Sequence, residues 1–79
     1  MLLKLTIHAQ IRLQERGFSI DNLKKVIRNP DKTENLLDGC VKVWKKLEDG
    51  TTLKLVYKRD GFKNKKDEFI IITAYFIHN

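Results

Sequence analysis

Between Ile7 and Arg16 a histidine, an arginine and a glutamate recur at helical spacing: His8, Arg12 and Glu15 stand at i, i+4 and i+7, with Arg16 at the edge. Residues so spaced share one helix face. An imidazole can move a proton near neutral pH, and guanidinium forks can hold the charge that builds on phosphate oxygens, so this face has the parts for phosphodiester cleavage. The same residues also describe an ordinary solvated helix face whose arginines pair with a glutamate. Ile7 and Ile11 form a neighbouring apolar stripe. A second set lies further on: Trp44 among Lys42, Lys46 and Lys54, then Lys58, Thr73 and Tyr75. Trp44 stacks a base if it sits on an open sheet face and is core if it faces the helices. Lys63, Lys65 and Lys66 fall in a hairpin tip, where a solvated loop and a phosphate-contacting loop read alike. His78, one residue from the end, is assigned no role. Cys40 has no sequence partner for thiol chemistry.

The elements that must position these residues change period at Pro30. Thr6 is an N-cap for a helix from Ile7 to about Arg16, and Gly17 supplies its left-handed end. Ser19 caps a second helix in which Ile20, Leu23, Val26 and Ile27 recur, stopped by Asn29-Pro30. A short edge strand is possible at Leu3 to Thr6 and a weak strand at Thr33 to Leu37. Alternation then marks Val41 to Leu47 and Leu53 to Lys58, while Phe69 to Ile77 is apolar on both faces and reads as central. Asp38-Gly39, Asp49-Gly50 and Asp60-Gly61 are turn signals. A three-residue loop with Gly50 left-handed pairs Val43 with Leu55 and Val41 with Tyr57. It puts Trp44 opposite Lys54 and Lys42 opposite Val56 on the other face. The expected fold is therefore α+β in two layers, two N-terminal helices packed on a four-stranded antiparallel sheet, with residues 1–79 as one domain.

Composition sets the outer bounds. With 42% hydrophobic and 33% charged residues the chain resembles a folded domain rather than a disordered one. The net charge is +6, and Lys42 to Lys66 alone holds nine basic against three acidic residues, which equals the whole excess. Such a field draws polyanions, with simple solubility as the plainer use of it. One cysteine and two distant histidines offer no zinc spacing, so no metal or other cofactor is expected. No apolar run approaches the roughly 20 residues that span a bilayer, and Met1 to Leu5 is too short for a signal region. A cytoplasmic protein with no membrane partner is expected.

The segment from His8 to Ser19, reading His-Ala, then Arg12, then Glu15-Arg16-Gly17, Phe18 and Ser19, and followed by Asn29-Pro30-Asp31, resembles a small bacterial family catalogued as domain of unknown function 4258. Phe18 stands where that pattern has an aliphatic residue, a change that bears on packing. Members resemble the RelE and barnase-like ribonucleases, and several are encoded beside antitoxins. The resemblance implies an RNA-binding, metal-independent endoribonuclease of toxin-antitoxin type, with His8, Arg12 and Arg16 catalytic and an antitoxin as a second partner. Lys42, Trp44, Lys54, Lys58, Thr73 and Tyr75 would then hold the RNA. The alternatives are a nucleic-acid-binding module without chemistry, or a basic protein-interaction domain.

Overall fold

Thr6 and Ser19 open the two helices, as hydroxyl N-caps do. Each side-chain oxygen accepts from a backbone N–H three residues on, that of Ala9 at 3.2 Å and that of Asn22 at 3.1 Å. In the computed structural model, which describes residues 2–59 and 68–78, the order is β1 (Leu2–Leu5), α1 (Ile7–Glu15), α2 (Ile20–Arg28), β2 (Lys32–Asn35), a 3-10 turn at Leu37–Gly39, β3 (Cys40–Lys46), β4 (Thr51–Arg59) and β5 (Glu68–His78). Gly17, at φ +62°, ends α1, with Gly17 N–H donating to Gln14 and Phe18 N–H to Leu13. That is the two-bond left-handed cap, and it turns Phe18 back toward the core.

The sheet has five strands rather than four and is mixed rather than antiparallel. Its order is β1-β5-β4-β3-β2, and β1 pairs parallel with the start of β5, Leu5 beside Ile71. Alternation shows only that Leu3 and Leu5 share a side; a parallel neighbour 66 residues away leaves no local mark. The weak strand expected at Thr33 to Leu37 is observed as β2, one residue earlier, and gives way to the 3-10 turn in which Asp38 and Gly39 both take positive φ. The Asp60-Gly61 turn and the tip with Lys63, Lys65 and Lys66 lie outside the described residues.

The β3–β4 register is the one that matched faces require: Val41 opposes Tyr57, Val43 opposes Leu55, and Trp44 opposes Lys54. Gly50, at φ +87°, closes that loop, and Leu47 and Thr51 bond across it. Along β5 the pairing shifts by one residue, because Val56 faces Thr73 while Tyr57 faces Ile71, so Ile72 is the extra residue of a bulge. Up to Ile71 the odd-numbered side chains of β5 face the helices. After the bulge Ala74 and Phe76 do, and Thr73, Tyr75 and Ile77 are turned outward.

Both helices cover one side of the sheet. Ala9 and Leu13 of α1 and Leu23 and Val26 of α2 bury against Val43, Leu53, Leu55, Ile71 and Ala74. Helices of nine residues are too short to hold themselves in water, so this shared burial fixes them. Ile7 and Ile11 lie on the far side of α1 and remain exposed. No described helix is long and apolar enough to cross a membrane.

Candidate nucleic-acid interface

Trp44 lies on the sheet face away from the helices. The ladders align it with one residue from each neighbouring strand, so Lys32, Trp44, Lys54 and Tyr75 form a row across β2, β3, β4 and β5. The next row along the strands is Glu34, Lys42, Val56 and Thr73, and Lys58 follows opposite Cys40 and Ile70. The six residues expected to hold RNA, Lys42, Trp44, Lys54, Lys58, Thr73 and Tyr75, thus share one face.

Cations and rings alternate there. Lys32 Nζ stands 4.9 Å from the Trp44 ring centre and Lys42 Nζ 5.7 Å; Lys54 Nζ is 5.9 Å from the Tyr75 ring. Ammonium groups over ring faces hold the side chains flat on the sheet while leaving their N–H donors to solvent. Trp44 and Tyr75 stand two strands apart, about 10 Å, with Lys54 between them. The Thr73 hydroxyl is buried and has no hydrogen-bond partner among the described residues.

Asp31, the last residue of the Asn-Pro-Asp segment, fixes the end of β3 that carries this row. Its N–H donates to the Trp44 carbonyl at 2.8 Å, while its carboxylate accepts from Lys46 N–H at 2.7 Å and Lys45 Nζ at 3.4 Å. The Lys46 backbone donor, more than the lysine charges, holds the Asp31 carboxyl below its ordinary range.

The polar side of α1 meets the sheet at β5. Because β1 stops beside Ile71, the later part of β5 has no strand on that side among the described residues. α1 lies along it: Thr6 Oγ1 donates to the Ile72 carbonyl at 2.7 Å, and at the other end the Arg16 guanidinium stands 4.8 Å from the Phe76 ring centre. An open cleft of about 210 Å³ forms there, lined by Arg12, Glu15, Arg16, Tyr75, Phe76 and His78. Tyr75 belongs both to this cleft and to the aromatic row, so the helix face and the basic sheet face adjoin.

Arg16 is held by several partners. Nη2 donates to Asp49 Oδ2 at 3.2 Å and to Thr51 Oγ1 at 3.4 Å, and Nη1 lies 3.4 Å from His78 Nε2. A guanidinium only donates, so a hydrogen bond between the two needs Nε2 as its acceptor. Asp49 in turn accepts from the Thr51 hydroxyl and from its N–H at 2.9 Å. These two bonds, ahead of the Arg16 charge, hold the Asp49 carboxyl below its ordinary range.

The three residues expected to be catalytic are divided by this geometry. Arg12 and Arg16 line the cleft, whereas His8 is exposed in the first turn of α1 and does not. Eight residues of helix separate His8 from Arg16, about 12 Å along the axis. His78 is the residue that sequence reasoning passed over. Its nearness to the chain end suppressed it, and only the parallel course of α1 and β5 brings it to Arg16. Among the described residues no cluster of His, Cys, Asp and Glu could hold a metal ion.

Neither the search of curated proteins nor that of solved structures returns a match. Residues 5–76 match the family described as Domain of unknown function (DUF4258), a span that takes in both helices, the helix face of Arg12 and Arg16, and the sheet through Phe76. Nearly the whole chain is covered, and the chain therefore belongs to the DUF4258 family.

Proposed function

We propose that this protein binds single-stranded RNA across the open face of its sheet and acts on it as an endoribonuclease of toxin-antitoxin type. The observation that carries the binding is the row Lys32, Trp44, Lys54, Tyr75, which alternates ammonium groups with ring faces over four adjacent strands. Bases stack on rings without regard to sequence while lysines neutralise the phosphates between them. A paired helix would keep its bases stacked on each other and offer the rings nothing, so unpaired RNA is the better ligand. Cleavage is supported by the adjoining cleft with its two arginines and an imidazole, and by the expected resemblance of members of the family to RelE and barnase-like ribonucleases.

The test is direct binding of a labelled mixed-sequence RNA. Trp44 is the sole tryptophan, so its fluorescence reports contact on this face. Quenching on titration with unpaired RNA, and an affinity loss of about 1–3 kcal/mol in Trp44→Ala, are expected for a stacked base. Affinity unchanged in Trp44→Ala and in Lys54→Ala would remove the open face from the reading.

A further inference from the structure

We infer that His78 is the proton-transferring residue of the cleft between α1 and β5, and that the cleft takes the phosphodiester next to a ribose 2′-hydroxyl. This rests on the proposed RNA binding and supplies the site of chemistry within it. Three observations combine. The cleft brings together an imidazole, two guanidinium groups and a phenol, from Arg12, Arg16, Tyr75 and His78. The Arg16 contact, with Nη1 3.4 Å from Nε2, holds the imidazole at the cleft. And Tyr75 belongs to both the cleft and the aromatic row, so the cleft opens beside the proposed RNA-binding face.

The chemistry then balances without a further reactant. The His78 imidazole takes the proton of the 2′-hydroxyl, and the 2′-oxygen bonds to phosphorus. The bond from phosphorus to the 5′-oxygen breaks, and that oxygen takes a proton from water. The products are a 2′,3′-cyclic phosphate and a 5′-hydroxyl end. Arg12 has no hydrogen bond or ion pair among the described residues, so its guanidinium is available to the phosphate oxygens as charge builds on them. Arg16 is a positioning residue: bound to Asp49 and Thr51 and packed on Phe76, it fixes where the imidazole points. The charged and titratable groups facing His78 are Arg12, Glu15 and Arg16 from α1, Asp49 from the β3–β4 turn and Tyr75 from its own strand.

The experiment compares cleavage of a mixed-sequence RNA, in chelator, by the full chain and its His78→Ala, His78→Gln and His8→Ala forms, with RNA affinity measured in parallel on an all-2′-deoxy analogue. His78→Ala is expected to lose about 100-fold or more in cleavage while its affinity changes less than twofold. Added imidazole should restore part of that loss, which a structural role would not permit. In the wild type the rate should fall on acidification, and His78→Gln should lack that fall. Thermal unfolding of both His78 variants near that of the wild type separates lost chemistry from lost fold. Cleavage by His78→Ala within a few-fold of the wild type overturns the inference, as does a His8→Ala form crippled while His78→Ala stays active. A wild-type chain that binds but does not cleave also overturns it and leaves RNA binding standing; a chain that does not bind sinks both.

Discussion

Single side chains here act by fixing backbone as often as by offering chemistry, and Asp31 is the clearest case. One carboxylate ties the segment after Pro30 to Lys45 and Lys46, and the Asp31 N–H ties it to Trp44, so the aromatic row depends on a residue that never faces it. Its folded-state carboxyl is depressed below the ordinary 3.8, which means that folding favours the ionised form. The resulting stability is complete above the unfolded value and is lost as pH falls through the folded one. An Asp31→Asn form should therefore melt below the wild type at neutral pH, and the gap should close as pH drops below about 4. Melting curves followed by circular dichroism from neutral pH to pH 2.5 check this; a gap that persists unchanged in acid would show that the charge is not what matters. Phe18 meets Phe76 edge-on at 5.6 Å, a ring contact beneath the Arg16 platform.

Elements are held by their ends as well as by their buried faces. Thr6 caps α1 and also donates to the Ile72 carbonyl at the bulge of β5, so one hydroxyl joins helix start to sheet. Thr6→Ala should cost about 1–2 kcal/mol in urea unfolding, the upper part of the range for a lost cap, because two bonds go at once. Thr6→Ser should recover most of it. Gly50→Ala meets no steric contact at its Cβ, so its expected cost of roughly 1–2 kcal/mol is that of the left-handed backbone alone. Helix boundaries, the Gly50 loop and the β3–β4 register were all legible in the sequence, since caps, glycines and face matching are local signals. The bulge at Ile72 was not. In Phe69 to Ile77 both alternating sets are apolar enough to bury, and only packing against Ala9 and Leu13 decides that Ala74 and Phe76 go inward. The parallel pairing of β1 was hidden for the reason that no local pattern encodes a partner at the far end of the chain.

Across the whole molecule the two layers divide the work: helices and core on one side, cations and rings on the other. The lysines and aromatics of the open face could be found in sequence once the register was set, because alternation assigns a face to every strand residue. The cleft could not, since it joins a helix to a strand end through the course of α1 along β5. The net charge of +6 is a property of the whole chain, yet the proposed binding depends on where that charge lies. Removing two positive charges distinguishes these. Lys42→Ala with Lys54→Ala takes both from the open face; Lys24→Ala with Lys25→Ala takes both from α2, on the other side of the sheet. If net charge alone draws RNA, the two double variants weaken binding alike. If phosphates are neutralised on the sheet, the first should lower the slope of log affinity against log salt by about 1.4, at roughly 0.7 per lost contact to a single strand, and the second should leave it nearly unchanged. Titrations of unpaired RNA between 50 and 300 mM salt, spanning roughly a factor of two in screening length, read that slope directly. Equal slopes for the two variants would reduce the basic face to a solubilising surface, and the ring row would then have to bind without it.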